Sequence, residues 1–72
     1  MPEEKKHNLK MENGKIDITN IDFAKGDKLV INGIEQLVID ICEADVLTES
    51  NGKEIGYEIV IDADKTYLEV GK

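Results

Sequence analysis

The clearest structural signal in the chain is LKMENGKIDI, residues 9–18, where apolar and polar side chains alternate on both sides of an Asn-Gly pair. Alternation with a period of two is typical of a β-strand that is buried on one face. Asn and Gly tolerate the positive φ angles that a type I′ turn requires, so the pair joins two strands tightly. The segment predicts an N-terminal hairpin with strands at about 8–12 and 15–19.

The same turn chemistry recurs further along the chain, at Asn32-Gly33 and at Asn51-Gly52. Apolar or alternating runs flank both pairs, as expected for short strands joined by two-residue turns. We place the remaining strands at about 29–31, 37–41, 54–61 and 66–70.

Two segments leave alternatives open. Residues 20–25 form either one helical turn, capped by Asn20, or an irregular loop held by Ile21 and Phe23. Residues 42–49 form either a bent continuation of the strand at 37–41 or a helix, and we favour the strand.

The composition supports a strand-rich fold. The 72 residues include 10 isoleucines and 5 valines against 3 alanines, and branched side chains pack well on a pleated sheet. We predict an all-β, mainly antiparallel fold of about six short strands, arranged as a small barrel or open roll. Residues 1–7 are expected to be a flexible tail, and residues 8–72 a single small β domain.

The order of these features resembles SH3-like small barrels over residues 26–70. A Gly26-Asp27 pair opens the first core strand, and a long hairpin turns at Asn51-Gly52. The resemblance implies a barrel in which residues 8–19 are an added hairpin. It carries over no functional residue, because ligand-binding members cluster aromatic side chains and this chain has only Phe23, Tyr57 and Tyr67.

The charge is concentrated. The chain has 16 acidic residues and 9 basic ones, all of which are lysines, and residues 35–64 combine nine acids with Lys53 for a net charge of −8. Such a field attracts basic protein surfaces and opposes direct binding to nucleic acid. The nine acids are the predicted partner-binding residues Glu35, Asp40, Glu43, Asp45, Glu49, Glu54, Glu58, Asp62 and Asp64.

Apolar residues suggest a second surface. Placing Leu29, Ile31, Leu37, Ile39, Ile41, Ile59 and Ile61 in the core turns the intervening positions outward. Val30, Val38 and Val60, together with Leu47, are then predicted to form an exposed patch for a partner or a second copy.

No catalytic, cofactor or metal motif is found. Cys42 is the single cysteine, and the single histidine, His7, falls in the predicted tail. Residues 62–66 have the oxygen spacing of a calcium loop, but Tyr67 stands where that loop needs glycine. We expect no enzyme activity, no cofactor and no metal.

The expected function is a non-enzymatic protein-interaction or assembly module with an acidic surface, of the kind that serves as a phage or bacterial accessory protein. Two alternatives are a nucleic-acid-mimicking inhibitor of a DNA- or RNA-binding protein and a structural subunit of a homo-oligomer. A lone cysteine, no apolar signal segment and no apolar run of membrane-spanning length favour the cytoplasm and no membrane partner.

Overall fold

The computed structural model describes residues 5–71, and within them every regular element is a β-strand. The strands form one mixed sheet in the order β1-β4-β5-β6-β7-β8-β3-β2. Their bounds are β1 Lys6–Leu9, β2 Met11–Glu12, β3 Lys15–Asp17, β4 Lys28–Ile31, β5 Ile34–Ile41, β6 Asp45–Ser50, β7 Lys53–Asp62 and β8 Lys65–Val70. The all-β, mainly antiparallel prediction is confirmed, and the part of the chain that the structure describes has eight strands rather than about six.

The sheet curls into a nearly closed barrel because the N-terminal segment supplies both of its edges. β1 pairs in parallel with β4, and β2, one residue further along, pairs antiparallel with β3. Between them, the Asn32 amide donates to the Leu9 carbonyl at 3.1 Å, and the Met11 amide donates to Asn32 Oδ1 at 3.1 Å. This architecture is compatible with an SH3-like barrel.

The N-terminal hairpin is part of the barrel wall. The expectation that residues 8–19 are an added hairpin is therefore wrong, and the predicted strand at 8–12 is divided between β1, which pairs with β4, and β2, which pairs with β3. Leu9, Ile16 and Ile18 are all buried in the core. Burial of these apolar side chains contributes most to stability when the barrel closes over them. The first strand also begins at Lys6, two residues before its predicted start, while residues 1–4 of the predicted tail lie outside the described residues.

All three Asn-Gly pairs form the predicted turns. Each asparagine has a φ between 50° and 53°, and each following glycine has a φ between 74° and 84°. Positive φ at both central positions matches the right-handed twist of the flanking strands. The turns join β2 to β3, β4 to β5 and β6 to β7.

A fourth two-residue turn, between β7 and β8, holds Ala63 at a φ of 56°. The left-handed backbone conformation costs a non-glycine residue about 1–2 kcal/mol. This cost exceeds the loss of stability that glycine causes by making the unfolded chain more flexible. Ala63→Gly should therefore raise the free energy of unfolding by about 0.5–1 kcal/mol, measured by urea denaturation. Ala24→Gly, at an exposed position without positive φ, should lower it. Equal losses in both variants would contradict the assignment of strain to Ala63.

The structure decides between the alternatives for residues 20–25 and 42–49. Residues 21–24 are irregular, with Ile21 and Phe23 packed against the core, so the helical turn near 20–25 is absent. The Asp27 side chain accepts a hydrogen bond from the Ala24 amide at 3.0 Å, which stabilises the loop instead. Residues 45–49 belong to a strand, as favoured, and the helix is wrong. The predicted bent continuation of the strand at 37–41 is also wrong, because residues 42–44 reverse the chain and β6 pairs antiparallel with β5.

Among residues 5–71, nine buried apolar residues form the core. They are Leu9, Ile16, Ile18, Leu29, Ile31, Val38, Val46, Tyr57 and Leu68. Leu29 and Ile31 face inward as predicted, but the outward placement of Val38 is wrong, because its side chain is 1% exposed. Val38 lies opposite Thr48 while Asp40 lies opposite Leu47, so Ile39 is an extra, bulged residue in β5. A run of consecutive apolar residues does not reveal which of them face inward.

Candidate interaction surface

The outer surface of β6, β7 and β8 brings acidic side chains directly opposite one another. Asp45 pairs with Glu58, and Glu58 pairs with Glu69, so three carboxylates cross three adjacent strands in one row. A second row, nearer the β6–β7 turn, pairs Glu49 with Glu54. Directly opposed residues in antiparallel strands have Cβ atoms about 4.5–5.5 Å apart. We call these five residues the acidic face.

The face points away from the core because its residues alternate with buried ones. Val46 and Thr48 on β6 and Tyr57 on β7 point inward, which leaves the intervening positions outside. Between the two rows, Leu47 lies opposite Gly56, and the Gly71 amide donates to the Gly56 carbonyl at 2.8 Å. The carboxylates therefore flank a shallow floor of small or half-buried residues.

Two lysines form ion pairs away from this face, with Glu35, whose carboxylate lies 3.0 Å from Lys28 Nζ and 3.5 Å from Lys6 Nζ. Lys15 lies opposite Glu69 in the sheet, but its ammonium lies over the Tyr67 ring at 5.4 Å. Directly opposed like charges destabilise a sheet. The acidic face is therefore expected to lower the stability of the fold, although core packing does not require acidic residues at these outward-facing positions.

The other predicted acids are spread around the molecule. The Lys28 hydrogen bond and the charges of Lys28 and Lys6 hold the pKa of Glu35 below its usual value, so Glu35 does not contribute an unpaired charge. Asp40 is exposed beside the bulge, and Glu43 lies in the β5–β6 bend. Asp62 and Asp64 lie at the β7–β8 turn, where Asp62 is opposite Lys65.

One member of the acidic face was missed by sequence reasoning. Glu69 lies outside the acidic stretch 35–64, and only the β7–β8 register places it beside Glu58. The alternation in β8 predicts that Glu69 lies on the outer face, but it does not predict which residue of β7 lies opposite it.

The structure does not bring the three valines together. Val38 is buried, Val30 is half-buried on β4 opposite Glu35, and Val60 is half-buried on β7 opposite Tyr67. Two strands, β5 and β6, separate β4 from β7. Leu47 is closer to the acidic face than to Val30.

A shallow groove with both apolar and polar lining opens at the end of the barrel where β3, β5 and β7 finish. It has a volume of about 320 Å³. Its lining residues are Ile18, Thr19, Ile21, Asp22, Phe23, Ile41, Ile59 and Thr66. We call it the end groove. Sequence reasoning assigned Ile41 and Ile59 to the core and did not foresee it, because residues 18–23 reach the end of β5 only in the tertiary structure.

A polar cluster lies inside the barrel. Gln36 Oε1 accepts hydrogen bonds from the Tyr57 hydroxyl at 2.7 Å and from the Thr48 hydroxyl at 2.8 Å. All three residues are buried, and burial raises the pKa of Tyr57. The hydroxyls are satisfied within the barrel wall, so this cluster fixes the positions of β5, β6 and β7 rather than presenting a reactive group.

The histidine and the cysteine lie in unrelated places. His7 Nε2 is 3.3 Å from Asp27 Oδ2, and the His7 ring contacts Phe23 edge-on. The hydrogen bond from the Ala24 amide lowers the pKa of Asp27 below its usual value, and the contact with His7 lowers it further. Cys42 is a free, exposed thiol in the β5–β6 bend. In the part of the chain that the structure covers, no three His, Cys, Asp or Glu side chains are grouped to hold a metal ion.

Compared with protein-family models, curated proteins and solved structures, the chain matches none of them. None of the elements formed by residues 5–71 is a helix with the length and apolar character needed to cross a membrane.

Proposed function

We propose that this protein is a non-enzymatic interaction module of the SH3-like barrel type, which docks its acidic face onto a basic surface of a partner protein. The observation that carries the proposal is the pair of rows in which carboxylates directly oppose one another. A cytoplasmic location and an accessory role in a phage or bacterium belong to the same proposal.

Repulsion within the acidic face is what favours a functional interpretation. Charges that serve only solubility work equally well when they are spaced apart or alternate with lysine. Here Glu58 has an acid on each neighbouring strand, although either neighbour could have been a lysine. Binding surfaces often retain such destabilising groups, because a partner of opposite charge relieves the repulsion.

Glu58→Lys is expected to stabilise the free protein. The substitution turns two like-charge cross-strand pairs, with Asp45 and Glu69, into opposite-charge pairs. Each pair contributes roughly 0.2–1 kcal/mol, so the free energy of unfolding should rise by about 1 kcal/mol at low salt. For a domain of this size, that raises the melting temperature by about 4–8 °C.

Glu43→Lys is the matched control, because it makes the same charge change at an exposed bend residue outside the strands. It lowers the net negative charge of the protein by the same amount, but it removes no pair of directly opposed acids. If both variants raised the melting temperature equally, net charge rather than the acidic rows would be the source of the effect.

Function is tested by affinity capture from the native host, with the wild type, Glu58→Lys and Asp40→Lys as baits at low and high salt; Asp40 is exposed and lies opposite Leu47 rather than an acid. We expect a basic protein that the wild type and Asp40→Lys capture at low salt, that Glu58→Lys fails to capture, and that high salt removes. Equal capture of the same proteins by all three baits would contradict the proposal. If the captured protein also releases its DNA or RNA when this protein binds, the nucleic-acid-mimicking alternative is favoured.

A further inference from the structure

The end groove is an open depression in the surface, and hydrogen bonds hold one of its walls in place. One wall, residues 17–21, is fixed by hydrogen bonds to β8. The Ile18 amide donates to the Thr66 carbonyl at 2.9 Å, and the Thr66 amide donates to Thr19 Oγ1 at 3.0 Å. The Asp17 carboxylate in turn accepts from the Thr19 amide and hydroxyl. A wall held in this way loses little entropy when a ligand binds.

The groove leaves apolar surface in contact with water. Ile41 lines it and is 37% exposed, and Phe23 is only half-buried. Ile61, which lies opposite the lining residue Thr66, is more exposed still. A volume of about 320 Å³ lies at the lower end of the range for ligand sites, so it suits one or two large apolar side chains.

The surroundings of the groove are acidic. The segments that form this end, residues 18–25, 41–45 and 61–66, carry two lysines, Lys25 and Lys65, against five acids. The acids are Asp22, Glu43, Asp45, Asp62 and Asp64. Asp22 lines the groove itself.

The groove lies near the acidic face but on the other side of the sheet. Ile59 lines the groove, while its neighbour Glu58 pairs with Asp45 in the acidic row, and successive side chains of a strand point to opposite faces. A second copy of this chain would present the same acidic surroundings and a net charge of −7, which opposes self-association through this end.

We propose that the end groove binds a large aliphatic or aromatic side chain of the partner, within a peptide segment whose neighbouring residues are basic. The apolar side chain enters between Ile18, Phe23 and Ile41, while the flanking ammonium or guanidinium groups meet the acidic residues around it. The proposal rests on the proposed function and adds the chemistry of the segment that the partner contributes.

The test is a methyl and amide NMR titration with blocked synthetic peptides. The probes are Lys-Phe-Lys-Leu-Lys, its alanine counterpart Lys-Ala-Lys-Ala-Lys, and the acidic counterpart Glu-Phe-Glu-Leu-Glu. We expect the first to bind at least about tenfold more tightly than either counterpart, with its largest methyl shifts at Ile18, Ile41 and Ile59. Equal binding of the first two peptides, no binding of the first, or shifts confined to other parts of the barrel would overturn the proposal.

Ile41→Ser and Ile34→Ser form a matched pair of variants, because the two isoleucines lie at opposite ends of β5 and both are exposed, at 37% and 58%. Ile41→Ser should lower the affinity for Lys-Phe-Lys-Leu-Lys to that for the alanine peptide, while Ile34→Ser should leave this affinity unchanged. Equal effects of the two variants would refute the groove. The amide spectrum of each variant reports whether it is folded.

Glu58→Lys separates this inference from the proposed function. If the groove is unused but the acidic face binds, both lysine peptides bind equally and both are weakened by Glu58→Lys. If the acidic face is not a binding surface, Glu58→Lys leaves both peptides unaffected while Ile41→Ser still discriminates between them.

Discussion

Leu68→Ala is expected to leave little folded protein at 25 °C. Leu68 is fully buried, on β8 between Ile59 of β7 and Ile16 of β3. Truncation removes the transfer free energy of the side chain and leaves a cavity, at a cost of about 3–4 kcal/mol. A domain of this size has a total stability of only about 3–5 kcal/mol, so the loss consumes most of it.

Circular dichroism during urea denaturation measures the effect. Val70→Ala is the control, because Val70 lies two residues along the same strand but is 54% exposed. It should cost less than about 1 kcal/mol. If Leu68→Ala kept a full cooperative transition with a midpoint near that of Val70→Ala, the barrel interior would not be the source of stability.

Gln36→Met is expected to cost about 1–3 kcal/mol, although methionine is apolar and similar in size. Gln36 Oε1 is the acceptor for both the Tyr57 and Thr48 hydroxyls. The Thr48 hydroxyl can turn to the Ile55 carbonyl, 3.3 Å away. The Tyr57 hydroxyl is then left buried without its acceptor, which is the costly outcome.

A double-mutant cycle isolates this interaction. Tyr57→Phe should lower the free energy of unfolding by about 1 kcal/mol in the wild type, but should raise it in the Gln36→Met background, where it removes a buried hydroxyl that has lost its acceptor. The coupling free energy should therefore exceed about 1 kcal/mol. Additive effects of the two substitutions would mean that the hydrogen bond at 2.7 Å does not contribute to stability.

The buried Gln36 also shows where sequence reasoning was insufficient. It immediately precedes the apolar run 37–41, and nothing in its local sequence indicates that it is buried. Pairing with β4 places Gln36 opposite Leu29, which is fully buried. Its partners, Thr48 and Tyr57, are 12 and 21 residues away in the sequence, so no local pattern could reveal that its amide is satisfied.

The acidic face was partly predictable. Alternation along β7 correctly placed Glu54 and Glu58 on the surface, and the acidic stretch 35–64 drew attention to the right hairpin. Sequence could not separate Glu35, which is paired with Lys6 and Lys28, from acids that lack such partners. It also could not supply Glu69, because strand pairing joins residues that are far apart along the chain.

The amino-acid sequence by itself determined the all-strand character of the fold and its three Asn-Gly turns, because asparagine and glycine adopt positive φ and period-two alternation is a local property. The tertiary structure alone decided that β1 and β2 close the barrel, that Val38 faces inward, and that Asp45, Glu58 and Glu69 share a row. These features depend on strand order and register, which are set by the packing of the whole core rather than by neighbouring residues.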